Sequence, residues 1–251
     1  IFMICIISFF YKKKIKIFLT IHNDLVFLFD RLGNVSLFLH LIYLKYALYF
    51  SHKVVFPSYK GRNFLRSKFP HRWNDIITIP NPVFSKFDNY LYSDFKEDNV
   101  KIITCIGRLS AEKNYRLAID SFNIVSKNTN ALLNIVGEGP ELLNLKKLTK
   151  EYGLVNKIFF LGPLLNPTNI IVNSDIILST SYEESFGNIV LEALSNNVPI
   201  VSTNTNGPTE ILEYIDPNLI TQDNSPAAIS SCIIKALDIY QPNSLNKMNL
   251  R

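Results

Sequence analysis

The sequence predicts an α/β protein built on parallel β-sheets, and three observations lead to this class. After residue 100, short runs that are almost continuously apolar alternate with longer segments of helical periodicity. Strands of that composition are buried on both faces, so helices must cover each side of a parallel sheet. Before that half, the segment Ile77–Val83 carries Pro80 and Pro82, which remove backbone donors and oppose a helix, so it is predicted to connect two domains.

The half before this connection is predicted to contain a smaller set of elements. Residues 14–20 (KIKIFLT) are predicted as a strand that ends in the turn-prone cluster 21–24. The stretch 34–51 is rich in Leu and Tyr and lacks Pro, which predicts a buried helix. Residues 53–57 (KVVFP) predict a second strand, and residues 59–68 predict a basic helix.

The chain opens on an apolar run, Ile1–Tyr11, that is followed by three lysines. A helix needs about 20 residues to span a bilayer, so this run is too short. A secretory signal has its basic residues before the apolar run, which is the opposite order. The run is therefore expected to be the end of a buried element whose beginning is absent.

The half after the connection has a regular order of strand and helix. The predicted strands are 101–106, 132–136, 158–161, 175–179 and 199–202, and the predicted helices are 113–127, 140–152, 166–173, 187–196, 208–214 and 226–240. In open parallel sheets, ligands bind beyond the carboxyl ends of the strands. The functional residues are therefore expected directly after Ile106, Val136, Leu161, Ser179 and Ser202.

Composition and charge narrow the function without deciding it. The chain has 251 residues, of which 47% are hydrophobic and 19% charged, as in a globular protein with a buried core. The net charge of +5 suits nucleic acid, an anionic membrane surface or a phosphate-bearing substrate. The three cysteines, Cys5, Cys105 and Cys232, have neither disulfide nor metal spacing, which favours a reducing compartment such as the cytosol.

Two cations follow the first strand of the second half. Gly107 permits a tight turn, and Arg108 and Lys113 lie close to the start of the next helix. Cations at a helix N-terminus are unfavourable unless an anion joins them. A diphosphate would supply that anion, with Arg108 as a planar fork and Lys113 as a point charge. On spacing alone, a solvated surface pair fits equally well.

A short glycine-containing turn, Gly137–Pro140, follows the second strand of this half. It joins a strand to a helix, as phosphate-binding turns do, but it is not GxGxxG. Taken alone, it fits a simple tight turn just as well.

Two glutamates lie on either side of a predicted helix start in the segment 179–194 (STSYEESFGNIVLEAL). Glu184 falls in the loop, and Glu192 falls inside the helix among apolar neighbours. Backbone amides near Gly187 form the helix start, which suits a phosphate or a polarised hydroxyl. A buried carboxylate needs a partner, and sugar hydroxyls could supply it. A salt-bridged or outward-facing glutamate is the alternative.

The spacing of Glu184 and Glu192 in EESFGNIVLEAL resembles the E-x7-E signature of retaining GT-B glycosyltransferases of the glycosyl transferases group 1 family. Other segments of that family have counterparts in the expected order: GRLSAEKN, GEGP and FFLGPL upstream, and NVPIVSTNTNGPTEIL downstream. The similarity covers Ile77–Glu213 densely. One departure is Asn197, where the family has Gly; Asn tolerates positive φ, so the turn is expected to survive.

The resemblance implies a GT-B fold with one near-complete Rossmann-like parallel-sheet domain and a partial N-terminal Rossmann-like domain. The implied organisation is a partial acceptor-binding domain at 1–81, a donor-binding domain at 82–240 and a tail at 241–251. The first strands of the acceptor domain and the helix that crosses back to it have no counterpart. The chain is therefore expected to be a fragment.

The resemblance also assigns site residues. Arg108 and Lys113 would grip the donor diphosphate, Glu184 would hold the donor sugar as a catalytic residue, Glu192 would hold the ribose, and Phe186, Gly187 and Asn188 would contact sugar and phosphate through their backbone. His22, in KIKIFLTIHND, matches an acceptor-side histidine near the sugar, although a lone histidine is more often structural. No metal or cofactor is implied, because the substrate is a UDP- or GDP-sugar whose diphosphate is neutralised by Arg, Lys and the helix dipole.

The implied reaction moves a hexose-type sugar, with retention, from the nucleoside diphosphate sugar to a glycan or lipid-linked acceptor. The leaving diphosphate would be stabilised electrostatically, and it would help to remove the acceptor proton. A nucleotide-sugar-binding module without turnover is the first alternative. The second is another Rossmann-like enzyme, such as an epimerase or dehydrogenase, although GRLSAEKN lacks the GxGxxG that a dehydrogenase would use.

Basic residues concentrate in the N-terminal half. They occur at Lys12–Lys14 and Lys16 and again in Tyr59–Lys68. Such clusters favour peripheral contact with an anionic membrane, so the protein is expected in the cytoplasm or at the cytoplasmic face of a membrane. A solvated basic face is the alternative, and no nucleic-acid partner is expected.

Overall fold

The structure is a computed structural model, and it describes residues 16–21, 42, 44–82 and 99–240. By spatial proximity the chain divides into two compact units. The first contains residues 1–82 together with the short stretch Glu184–Phe186, and the second contains residues 83–183 and 187–251.

The first unit contains a three-stranded parallel sheet in the order β1-β2-β3. Its strands are β1 (Phe18–Thr20), β2 (Lys53–Phe56) and β3 (Ile76–Thr78). Residues 44–50 are helical, within the predicted helix 34–51. Helix α1 (Tyr59–Lys68) follows β2, and a 3₁₀ segment (Pro70–Asp75) leads into β3.

A small core holds this sheet and its helices together. Six fully or nearly buried side chains form it, namely Leu44, Leu48, Val54, Phe56, Leu65 and Ile76. Ser58 begins α1 as its N-cap, where its Oγ accepts from the backbone N–H of Gly61 at 3.3 Å.

The start of the predicted connection between domains was wrong by two residues. Ile77 and Thr78 belong to β3, which pairs with β2 in parallel register, Val55 opposite Ile77. The β-branched Ile–Ile–Thr sequence suits a pleated strand, and only the prolines that follow it lack the donors that a strand needs.

The second unit contains a five-stranded parallel sheet in the order β6-β5-β4-β7-β8. The strands are β4 (Lys101–Ile106), β5 (Ala131–Val136), β6 (Ile158–Gly162), β7 (Ile176–Ser179) and β8 (Ile200–Ser202). The helices are α2 (Tyr115–Asn128), α3 (Leu142–Glu151), α4 (Thr168–Val172), α5 (Asn188–Ser195), α6 (Asn206–Ile215) and α7 (Pro226–Ile239). The predicted α/β class and all five predicted strands of this half are confirmed.

Burial along the central strands explains why the sequence predicted a sheet covered on both faces. Successive residues of a strand point to opposite faces. All four residues of β7 are buried, and so are Ile103, Thr104 and Cys105 of β4. Along the edge strand β6, by contrast, buried Ile158 is followed by exposed Phe159.

The strand order creates a crevice beside β4. The chain continues from β4 to β5 on one side and later returns to β7 on the other side. At such a switch point the two connections leave the carboxyl edge in opposite directions and open a crevice.

Candidate functional site

The loop after β4 presents the two predicted cations in different environments. Arg108 is exposed, and among the residues that the structure describes its guanidinium makes no hydrogen bond or ion pair. Lys113 is half-buried and ends a short 3₁₀ turn, Ala111–Lys113. Asn114 follows with φ 49° and ψ 46°, so the predicted helix begins at Tyr115 and not at Lys113. Asn is one of the few residues that tolerates this left-handed conformation.

The loops after β4 and β5 cross each other through backbone contacts. The N–H of Leu109 donates to the carbonyl of Glu138 at 2.8 Å, and the N–H of Glu141 donates to the carbonyl of Leu109 at 3.0 Å. A Cβ added to Gly137 would lie 1.9 Å from the carbonyl oxygen of Gly107, and φ at Gly137 is +137°. The glycine turn that was ambiguous in the sequence is therefore required by close packing of two backbones.

A cleft opens at this crossing. Its volume is about 700 Å³, and its walls come from the carboxyl ends of β4, β5 and β6 and the turns that follow them. The lining residues are Ile106–Arg108, Val136–Gly139, Pro163, Leu164 and Pro167. This volume lies within the range of about 300–1,000 Å³ that small-molecule sites occupy.

On the side of β4 that faces β7, hydrogen bonds from side-chain hydroxyls hold the loops together. Thr180, directly after β7, donates from Oγ1 to the carbonyl oxygens of Lys113 at 3.2 Å and Asn114 at 3.0 Å. Thr203, directly after β8, donates from Oγ1 to the carbonyl of Ser181 at 2.7 Å. These contacts link the cation-bearing loop to the ends of the two neighbouring strands.

Gly187 forms the turn into helix α5. Its φ is +83°, and an added Cβ would lie 3.0 Å from Cγ of Pro208 and 3.1 Å from Cγ2 of Val190. A glycine has no side chain that could cap the first amides of the helix, and Asn188, the first helical residue, is exposed. The helix start is therefore shaped to bring backbone N–H groups close to an anion or a hydroxyl.

Glu192 lies in α5 as a half-buried carboxylate. Burial raises the pKa of its carboxyl above the ordinary value. Among the residues that the structure describes, no cation or hydrogen-bond donor pairs with this carboxylate. Of the two alternatives left open by the sequence, the salt-bridged glutamate therefore does not apply within the described residues.

Glu184 and Phe186 belong to the first compact unit by spatial proximity. Glu184 is half-buried in the loop between β7 and α5, and Phe186 is buried. His22 lies outside the described residues.

The cleft wall includes residues that the sequence did not single out as site residues. Pro163 and Leu164 line it, and they follow the end of β6, a position to which the rule about carboxyl ends pointed without naming the residues. Thr180 and Thr203 also stand at positions to which the rule pointed, directly after Ser179 and Ser202, but no role could be predicted for a threonine whose partner was unknown. Asn197, expected to tolerate positive φ, has φ +56°, which confirms that expectation.

No group of three or more His, Cys, Asp or Glu side chains is arranged to hold a metal ion among the residues that the structure describes. None of the helices within the described ranges is long and apolar enough to cross a membrane.

Comparison with known proteins gives the family. The sequence profile described as "Glycosyl transferases group 1" matches residues 89–249, which is more than half of the chain. The chain belongs to the glycosyl transferases group 1 family. The resemblance that the motifs carried is thereby confirmed.

Curated relatives of this glycosyltransferase-family chain are distant and longer. The N-acetyl-alpha-D-glucosaminyl L-malate synthase of Bacillus anthracis is 26% identical over 140 residues, which are 56% of this chain and 37% of that protein. The poly(glycerol-phosphate) alpha-glucosyltransferase of Bacillus subtilis is 36% identical over 98 residues, 39% of this chain and 15% of the relative. The chain thus spans well under half the length of these relatives.

Solved structures give the fold. Anabaena HepE in complex with UDP and glucose superposes with a TM-score of 0.78 at 19% identity, covering 97% of this chain and 67% of that one. A glycosyltransferase from Rickettsia africae superposes with a TM-score of 0.68 at 23% identity, covering 78% and 56%. The fold of this family member is GT-B, as predicted.

Proposed function

We propose that the protein is a retaining glycosyltransferase that moves a hexose-type sugar from a UDP- or GDP-sugar to a hydroxyl of a glycan or lipid-linked acceptor. The observation that carries this proposal is the crossing of two backbones at the rim of the cleft, where the guanidinium of Arg108 has no partner among the residues that the structure describes. Family membership supports a glycosyl-transfer reaction, and the names of the relatives include glucosyl and N-acetylglucosaminyl transfer.

The cleft suits the nucleoside part of the donor. Its walls combine flat backbone at Gly137 and Gly139 with the apolar side chains of Ile106, Pro163 and Leu164. Apolar surface favours the burial of a planar base. HepE, with which this chain shares its fold, has been solved in complex with UDP and glucose, which supports a nucleotide-sugar as the class of ligand.

The diphosphate would then lie among three positive groups. Arg108 supplies a bidentate donor, Lys113 supplies a point charge, and the start of α5 at Gly187 supplies backbone amides. Negative charge grows on the leaving diphosphate as the bond between it and the sugar breaks. Groups that are already oriented toward that charge stabilise the transition state more than the ground state. We propose no metal or cofactor, because these three groups can neutralise the diphosphate.

Glu192 is proposed to hold the ribose. Its half-buried carboxylate has lost part of its hydration without gaining a partner in the described residues. Two ribose hydroxyls could donate to its two oxygens and replace the lost water. Binding of the donor would thereby relieve a cost that the free protein carries.

Glu184 is proposed to hold the hydroxyls of the transferred sugar, with His22 on the acceptor side and the backbone of Phe186 and Asn188 contacting the sugar and phosphate. Retention would follow from attack on the face that the diphosphate leaves. In such a reaction the departing phosphate oxygen can accept the proton of the acceptor hydroxyl, so no strong protein base is needed.

Helix α1 supports contact with an anionic membrane at its cytoplasmic face. Its sequence, YKGRNFLRSK, contains four cations and no acid. Exposed Tyr59 carries the guanidinium of Arg62 4.8 Å above its ring, so the helix offers both charge and an aromatic group to an interface. Arg66 has a structural role, because it donates to the carbonyl of Ile76 at 2.6 Å.

Liposome co-sedimentation tests the membrane proposal. Vesicles with anionic lipid should bind the chain, and the double variant Lys60→Glu with Arg62→Glu should reduce binding by at least about tenfold. Equal binding to neutral vesicles would count against the proposal, and so would an unchanged double variant.

Calorimetric titration with UDP and with GDP tests the donor site. We expect one of them to bind, and Arg108→Ala to weaken it by about tenfold or more because a charge-assisted hydrogen bond is lost. Arg116→Ala is the matched control, since Arg116 is equally exposed but pairs with Asp120 at 3.8 Å on helix α2. Its affinity should equal that of the wild type.

Two results would revise the proposal. A folded chain that binds neither nucleotide would contradict the donor site. Binding without hydrolysis or transfer of any UDP- or GDP-sugar, in the full-length protein, would indicate a nucleotide-sugar-binding module without turnover.

A further inference from the structure

Three consecutive carbonyl groups at the end of the cation-bearing loop accept hydrogen bonds from one distant segment. The carbonyl of Glu112 accepts from the backbone N–H of Tyr182 at 2.9 Å. The carbonyls of Lys113 and Asn114 both accept from Oγ1 of Thr180, at 3.2 and 3.0 Å. The two segments are 66 or more residues apart in sequence, so this contact is made only in the folded sheet.

The contact is enclosed and anchored. Thr180 is 3% exposed, and the residue after it, Ser181, is 2% exposed. Ser181 is held in turn by Thr203, whose Oγ1 donates to its carbonyl at 2.7 Å. Thr180 is therefore fixed on a backbone that is itself tied to the ends of β7 and β8.

The turn that carries Lys113 has little support of its own. The 3₁₀ turn that carries Lys113 is only three residues long, and it has no side-chain cap. It ends at Asn114, whose left-handed conformation separates the turn from helix α2, and the Asn114 carbonyl also accepts from the N–H of Leu117 at 3.0 Å. This turn sets the point from which the Lys113 side chain starts, and so the region that its ammonium can reach.

We propose that Thr180 is a positioning residue that sets the place of the Lys113 ammonium for the donor diphosphate. This inference rests on the proposed function, because it requires a diphosphate at Lys113. In this role Thr180 acts through the turn that carries Lys113. Its single hydroxyl proton is shared between two carbonyls, which locks the short turn against the end of β7. Because the turn is already ordered before the diphosphate arrives, binding does not carry the entropic cost of ordering it.

The test compares the UDP affinity of the wild type with that of Thr180→Val, or the GDP affinity if GDP is the nucleotide that binds. Valine keeps the shape of threonine but lacks the hydroxyl, so we expect about tenfold weaker binding from the loss of one buried hydrogen bond. Thr180→Ser keeps the hydroxyl and should retain affinity within about twofold of the wild type. Thr149→Val is the matched control, because Thr149 is equally buried and donates to Leu145 at 2.9 Å within helix α3.

A second measurement separates positioning from general loosening of the loop. Thr180→Val should weaken UDP binding in the wild type but cause no further loss in a Lys113→Ala background, since the group it positions is then absent. If Thr180→Val unfolds the chain, Thr180→Ala removes the hydroxyl without placing a methyl group against the carbonyls, and the same cycle is measured with it.

Each outcome decides the inference. A Thr180→Val protein that binds UDP as the wild type does, or a loss that persists unchanged without Lys113, overturns the positioning role and leaves the donor site intact. A wild type that binds neither UDP nor GDP overturns the donor site and the inference together. Weaker binding that serine restores and that vanishes in the Lys113→Ala background supports the role.

Discussion

At the carboxyl edge of the five-stranded sheet, the loops on the two sides of β4 are held together by different kinds of contact. On the side of β5 and β6, the loops meet through backbone, with positive φ at Gly107, Gly137 and Gly139. On the side of β7 and β8, they are joined by buried hydroxyls, above all those of Thr180 and Thr203. On the glycine side, neighbouring backbone atoms leave no space for a side chain at Gly137 or Gly139. On the hydroxyl side, a single substitution can remove one hydrogen bond at a time.

This difference suits the two parts of a nucleotide sugar. Under the proposed function, the planar base would occupy the open cleft on the glycine side. A diphosphate is small and highly charged, so its recognition depends on the accurate placement of a few cations and amides. Hydrogen bonds from side chains supply that placement because they fix direction as well as distance.

The largest effect should come from adding a methyl group on the glycine side. In Gly137→Ala the new Cβ would lie 1.9 Å from the carbonyl oxygen of Gly107, which is backbone and cannot rotate away. We expect the free energy of unfolding, measured by urea denaturation, to fall by about 4 kcal/mol or more. Gly153→Ala is the control, because Gly153 also has positive φ but nothing lies within 4 Å of the added atom.

Gly153→Ala should lower the free energy of unfolding by only about 1–2 kcal/mol, the cost of the left-handed conformation alone. Equal losses in the two variants would mean that backbone conformation, and not the close crossing of the loops, makes Gly137 necessary.

An intermediate effect is expected on the hydroxyl side. Thr203→Val removes the donor to the Ser181 carbonyl and leaves that buried acceptor without its hydrogen bond. We expect the free energy of unfolding to fall by about 1–3 kcal/mol in the same urea experiment. Thr203→Ser, which keeps the hydroxyl, should recover most of this loss; a serine variant as unstable as the valine variant would show that packing of the methyl group dominates.

The smallest effect on stability, and one of opposite sign, should come from Glu192→Gln. Because burial raises the pKa of Glu192 in the folded state, the wild type loses stability as the pH rises through that raised pKa. The Gln variant carries no such penalty, so at neutral pH it should be more stable than the wild type by well under about 1 kcal/mol, since solvent screens a half-exposed carboxylate.

The difference between Glu192→Gln and the wild type should disappear at acid pH, below the ordinary pKa of a glutamate, where both side chains are neutral in both states. Urea denaturation across the pH range measures it. A wild type that is the more stable protein at neutral pH would show that the carboxylate has a stabilising partner.

Local sequence was sufficient to predict most helices and strands, because the hydrophobic pattern that indicates each one lies within its own residues. The runs at β4 and β7 are short but mostly apolar, and burial on both faces follows directly from that composition. Element boundaries were less accurate where a backbone conformation decides them. Helix α2 begins at Tyr115 because Asn114 is left-handed, and Ile77 joins β3 because β2 is there to pair with it.

For the site, the sequence identified the candidate cations and carboxylates but not the residues that hold their loops in place. Arg108, Lys113 and Glu192 were named from residue type, spacing and family resemblance, and their roles remain predictions. The need for glycine at 137 became evident only when Gly107 was placed against it. A hydroxyl such as that of Thr180 has no distinctive spacing, because its partners lie more than sixty residues away.

By itself, the sequence determined the α/β class, the order of strands and helices after residue 100, and the family, because hydrophobic periodicity and short motifs are properties of contiguous residues. Only the tertiary structure decided which loops meet at the carboxyl edge, that one pair meets through backbone and the other through hydroxyls, and that Glu192 is desolvated. Those features depend on the parallel register of β4 with β5 and β7, which brings residues that are distant in sequence to the same edge of one sheet.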